Sequence, residues 1–187
     1  MSAFDRYAKQ LTKAGFTSGS SKARDWLRDN LTKARPNRVA LIEKGKNAAK
    51  PQIGKMYMYF YDPKHKDTMP YYDAFPLILM IGPAKGGWHG LNLHYLDPAT
   101  RAWFFDQLEG ISKNKRLDDD AKIKLSYAQL MNSKKLKVAA VAFKHYLSSH
   151  VQSSIVEVPA KDWDIALMLP TAQWKNTTAR AVYRGRK

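Results

Sequence analysis

Apolar residues in the first fifty positions recur at helical spacing. Phe4, Tyr7, Leu11 and Ala14 draw one stripe, which predicts a helix ending at Gly15. Ser18-Gly19-Ser20-Ser21 reads as a joint whose last serine caps a second helix, with Ala23, Trp26, Leu27 and Leu31 on one face. Pro36 stops that helix, and a short one is expected around Val39 to Glu43. From Ile53 the period changes. Lys55 to Tyr61 is aromatic-rich strand material, Asp62 to Asp67 a turn, and Pro76 to Ile81 a strand apolar on both faces and therefore central or covered. Gly82 to Gly87 turns the chain into a third strand over Trp88 to Tyr95. Three strands joined by short turns predict an antiparallel sheet, which could close as a small SH3-like barrel. Beyond it, Asp97-Pro98 opens a helix through Trp103, Phe104 and Leu108. Helices are also expected from Asp118 through Leu130 and from Lys134 to Ser148. Gln152 to Val158 reads as a returning strand, and Asp162 to Leu169 as a short helix ended by Pro170.

These elements predict an α+β fold: a small antiparallel sheet with a helical cap, carrying basic N- and C-terminal extensions. The expected division is a basic helical arm over residues 1–50, an α+β core over 51–174 and a basic tail over 175–187. Two thin amphipathic helices bury too little surface to stand as a domain, which is why the first segment reads as an arm.

Charge changes the picture more than any motif. The chain has 187 residues with 32 Lys+Arg against 16 Asp+Glu, a formal net charge of +16. Residues 1–50 supply half of that excess, and the stretch after Trp174 contains no acid. The cations singled out are Lys22, Arg24, Arg28, Lys33, Arg35 and Arg38 near the start and Lys175, Arg180, Arg184, Arg186 and Lys187 at the end. Such a distribution selects a polyanion, either nucleic acid held by its phosphates or an acidic protein surface. Tyr71 and Tyr72 are candidates for stacking on exposed bases, while Tyr57, Tyr59 and Tyr61 also suit the packing of a small sheet. With no cysteine, disulfides, thiol nucleophiles and Cys-ligated zinc are excluded. Charges at Asp5, Arg6 and Lys9 argue against a secretory signal. The longest uncharged apolar run, Phe75 to Ile81, covers about a third of the roughly 20 residues of a spanning helix, so no membrane partner is expected.

Catalytic patterns are poorly supported. The glycines at 82, 86, 87 and 90 are followed by Trp88-His89 where a phosphate-binding loop needs Lys-Ser/Thr. His89 and His94 are an odd number of residues apart, which would put them on opposite faces of a strand, and neither they nor His145 and His150 match a metal motif. Asp118-Asp119-Asp120 suits a helix start. No Gly-x-Ser-x-Gly is present. Asp62, Asp67 and Asp73 remain as candidate acids of a metal-dependent nuclease, but without a second fixed carboxylate at a known separation the chain reads as non-enzymatic, with no cofactor and no metal.

Three blocks carry a family resemblance: Gly54-Lys55-Met56-Tyr57 through Tyr61-Asp62-Pro63-Lys64; Met69-Pro70-Tyr71-Tyr72-Asp73-Ala74-Phe75-Pro76-Leu77; and Gly90-Leu91-Asn92-Leu93-His94-Tyr95-Leu96. With Val158-Pro159-Ala160-Lys161-Asp162-Trp163, they resemble small virion-associated proteins of large contractile-tailed bacteriophages over roughly residues 50–170. That resemblance implies a tail, baseplate, neck or DNA-end handling role, assembly with other virion proteins, and localisation to the virion after synthesis in the host cytoplasm. It brings no catalytic residues and does not reach the basic ends. The leading expectation is a structural component docking through its basic extensions on acidic proteins or DNA; the alternatives are a DNA-binding accessory protein that protects genome ends, and the nuclease.

Overall fold

The computed structural model describes residues 4–112 and 140–185. Helix α1 spans Asp5–Lys13, α2 Ser21–Leu31 and α3 Arg38–Glu43. Ser20, one residue earlier than the expected cap, accepts the Ala23 N–H at 3.1 Å and starts α2. Strand β1 is Lys46–Asn47, β2 Met56–Met58, β3 Tyr72–Asp73, β4 Leu77–Ala84 and β5 Gly87–Asn92. A 3-10 turn over Leu93–Tyr95 then leads to α4, Pro98–Ser112, where Asp97 accepts the Thr100 N–H. Strand β6 covers Phe143–Leu147, β7 Val156–Val158, α5 Trp163–Met168, β8 Trp174–Lys175 and α6 Ala179–Arg184. The helix expected from Asp118 and the acidic run 118–120 lie outside the described residues. Of the helix expected over Lys134 to Ser148, residues 134–139 lie outside the described residues, 140–142 form a 3-10 turn and 143–147 are a strand, because the ladder with β5 takes the backbone bonds and Tyr146 joins the aromatic face.

Six strands form one antiparallel sheet in the order β1-β7-β2-β4-β5-β6, and β3 pairs with β8 in a separate two-stranded ribbon. The larger sheet is open, with β1 and β6 as its edges, so the barrel does not form. Strand β4 is central and buried on both faces, as its unbroken apolar run requires. Alternation sends Leu77, Leu79, Met56, Met58, Leu91, Val156 and Val158 to one face, beneath the helices. The opposite face receives Tyr57, Tyr59, Tyr61, Ile78, Met80, Trp88 and Tyr146. There Tyr59 meets Tyr61, Trp88 and Tyr146 edge-on at 5.7–6.1 Å between ring centroids, and the Trp88 indole N–H donates to its hydroxyl. At the β4–β5 turn Gly86 adopts φ 74°, and a Cβ on Gly87 would sit 1.8 Å from the Tyr146 carbonyl oxygen, so the β5–β6 pairing needs glycine there.

The apolar stripes of the N-terminal helices are folded into the main core instead of extending as an arm. Phe4, Tyr7 and Leu11 of the first helix region, Ala23, Leu27 and Leu31 of α2, and Leu41 of α3 share one cluster with the sheet and with α5. The C-terminal segment is held as well: Val182 of α6 joins that cluster, and β8 is paired. Leu27 has no accessible surface, so Leu27→Ala is expected to cost about 2–5 kcal/mol of stability in urea unfolding. A loss below about 0.5 kcal/mol would mean that α2 is detachable from the core.

Candidate nucleic-acid interface

Strand β3 starts the site. Asp73 is buried, and all four of its acceptor positions are used. Oδ1 accepts the N–H groups of Phe75 (3.0 Å) and Gln173 (2.8 Å), and Oδ2 accepts Asn92 Nδ2 (3.2 Å) and His94 Nδ1 (2.6 Å). The Thr171 hydroxyl completes the line by donating to His94 Nε2 at 2.8 Å. Burial opposes ionisation of Asp73, but His94 and the two backbone N–H groups outweigh it and hold its pKa below the ordinary carboxylate value. Burial pushes His94 down, aided by the charges of Arg101 and Arg38, so a neutral imidazole faces an aspartate anion. A half-buried and a buried guanidinium, Arg38 and Arg101, frame the pair. Arg38 donates to the carbonyls of Thr171 and Ala172, each at 2.6 Å; Arg101 donates to those of Leu96, Leu167 and His94 and to the Tyr183 hydroxyl.

This frame fixes one wall of a cavity of about 600 Å³. Tyr71 and Tyr72 precede Asp73 in its lining, which also takes in Tyr61, Tyr95, Tyr146 and Leu147. Tyr71 stacks on Tyr95 at 6.1 Å and 29°, and both pack against Trp174. The loop 63–70 closes one end, tied down by an Asp62–Lys66 ion pair (2.8 Å) and by His150, whose carbonyl accepts the Asp62 N–H and whose ring Nδ1 bonds the Asp62 carbonyl. Lys64, His65, Lys144 and His145 supply the polar lining, with the Lys144 ammonium 4.4 Å from the Tyr95 ring centre. Met69 and Val141, at 38% and 40% exposure, are two of the four large hydrophobics left exposed among the described residues, and both line this cavity.

The cations anticipated from sequence separate into two groups. Lys22, Lys33, Arg35, Lys175, Arg180 and Arg184 are exposed. Lys175 is the cross-strand partner of Tyr72, which puts one of them beside the cavity wall. Arg24 is buried, ion-paired to Asp106 and near Asp164, and is no phosphate contact; Arg38 is spent on carbonyls of the frame. Arg28 lies between Asp25 and Asp29, both at 3.0 Å, which raise its pKa and cancel its charge locally. Arg186 and Lys187 lie outside the described residues. Sequence reading overlooked Lys64, His65, Tyr95, Lys144, His145 and Tyr146. Only the clustering of Tyr and Lys in 57–72 hinted at them.

Asp73-His94-Thr171 has the connectivity of a hydrolase relay, but Thr171 and His94 have no accessible surface, so the hydroxyl can meet no substrate. Asp73, once a candidate nuclease acid, is fully engaged inside the fold, while Asp62 is paired and Asp67 sits in the exposed loop. Among the described residues no three His, Cys, Asp or Glu side chains are grouped as a metal ion would need. No helix among them is long and apolar enough to cross a membrane.

Asp73 and His94 both titrate in the folded chain below their unfolded values, so each gives stability that is lost as pH falls: that of Asp73 declines only below about pH 4, and that of His94 is complete above about pH 6.5 and declines below it. Thermal unfolding between pH 8 and 5 is expected to show this decline, with a shallower one in His94→Gln; an unchanged slope would assign it to other groups. Asp73→Asn places an amide where four donors converge and is expected to cost about 3–5 kcal/mol.

No curated protein and no solved structure gives a significant match to the chain. The family profile of the phage T4 terminal DNA protecting protein, however, matches residues 2–186. That span takes in the frame, the aromatic cavity and the exposed cations together, and covers nearly the whole chain. The protein therefore belongs to the phage T4 terminal DNA protecting protein family.

Proposed function

We propose that this protein binds the ends of linear phage DNA and shields them, without cleaving the DNA. The observation that carries this reading is membership of a terminal DNA protecting family over residues 2–186. The charge supports it: a chain with net charge +16 leaves Lys22, Lys33, Arg35, Lys175, Arg180 and Arg184 exposed for phosphate contacts, which position a protein without reading sequence. Docking on acidic virion proteins through the same cations is the second reading. The family description favours DNA over it, and association with the genome would bring the protein into the particle by either route.

A blunt-ended linear duplex is expected to survive a processive exonuclease when the protein is present, and to remain uncut with divalent ions. Affinity should fall about a thousandfold between 50 and 200 mM salt if the six exposed cations contact phosphate. Charge reversal of Lys22, Lys33 and Arg35, or of Lys175, Arg180 and Arg184, should weaken binding and flatten the salt slope. Unaltered digestion by the exonuclease at low salt would sink the reading, and cleavage dependent on Asp67 would replace it with the nuclease.

A further inference from the structure

A basic surface alone holds the interior of a duplex as well as its terminus, because phosphates repeat along the whole molecule. Protection of ends requires a feature that only an end satisfies. A terminus offers a nucleotide stacked on one side only, and freeing it from the helix costs no more than a few kcal/mol. On the reading above, that nucleotide is the distinguishing ligand.

We propose that the cavity between β3 and β6 receives the terminal nucleotide of one DNA strand, freed from its pair. Its volume of about 600 Å³ lies inside the range of about 300–1,000 Å³ that suits small ligands, and a duplex is far too wide to enter. The half-buried Tyr71 and Tyr72 give a base aromatic surface at the cavity, a sequence-tolerant mode of holding it. Lys64 and Lys144 bring positive charge for the phosphate, and Lys175 stands across the ribbon from Tyr72. Among the described residues the single carboxylate in the lining is Asp73, whose oxygens are turned inward to His94, Asn92 and the backbone and have their donors already, so it presents no free acceptor to an anion. Met69 and Val141 at the same cavity are apolar and exposed, as expected of side chains that a ligand covers.

The test compares a linear duplex carrying 5′-phosphates with a relaxed closed circle of the same sequence, using wild type, Tyr72→Ala and Val141→Trp. Tyr72 is half-buried and Val141 exposed, and the second change obstructs the cavity without removing any group from the core. Wild type is expected to prefer the linear duplex. Both variants should lose about tenfold or more of their affinity for it while binding the circle, with its salt slope, as before. A 5-iododeoxyuridine at the terminal position should crosslink to Tyr71, Tyr72 or Tyr146 on irradiation, and the same base placed internally should not. Wild type that treats line and circle alike would overturn the end-binding reading itself. A wild-type preference that persists in both variants would overturn the cavity alone.

Discussion

An aspartate removed from water must have every lone pair answered, and Asp73 meets that requirement with one local donor and donors from two distant parts of the chain. Phe75 is local, Asn92 and His94 come from the end of β5, and Gln173 from the segment before β8. Arg38 and Arg101 add bonds to the same segments from α3 and α4. A partly satisfied network of this kind is costlier than none, so its members form together or not at all. The consequence reaches the surface. Tyr71 and Tyr72 cannot swing away from the cavity without displacing Asp73, which fixes an aromatic wall on what would otherwise be a free loop.

The same frame redistributes charge. Counting Lys and Arg makes the ends look like uniform grips, yet Arg24, Arg38 and Arg101 each hold partners inside the fold. Guanidinium is the side chain suited to this, since its fork bonds several carbonyls at once and its charge persists on burial. The exposed set is richer in lysine, whose compact ammonium on a flexible stem follows a phosphate backbone without demanding one geometry.

Local pattern made much of the fold legible. The run Leu77–Met80 is apolar on both faces and is the central strand; the stripes at Phe4, Tyr7 and Leu11 and at Ala23, Leu27 and Leu31 are helices. A stripe states that a helix covers something, not what. That missing fact turned helices of the core into an expected arm. The barrel was over-read because it rested on the three strands joined by short turns: the returning strand expected over Gln152 to Val158 is β7, but spacing could not show that it inserts between β1 and β2 from about a hundred residues away. Residues 143–147 followed a helical spacing begun at Val138 until the ladder with β5 claimed them. Of the site, Tyr71 and Tyr72 could be named, whereas His94 pairs with groups 21 and 77 positions away, and no spacing rule reaches that far.

Affinity and selectivity are then assigned to different parts of the molecule. Scattered exposed cations draw any DNA rapidly and weakly, and their contribution is nearly equal for an end and for the interior, so it cancels from the difference that defines selectivity. Only a contact available at one of the two sites survives the subtraction. For a protein that guards ends, that contact must be rigid before binding, since ordering a loose loop around one nucleotide would consume the gain of one or two stacks. A cavity whose wall is anchored by a buried carboxylate meets this condition. On the proposed reading, the buried charge, costly where stability alone is considered, has its use in holding the aromatic wall of that cavity in place.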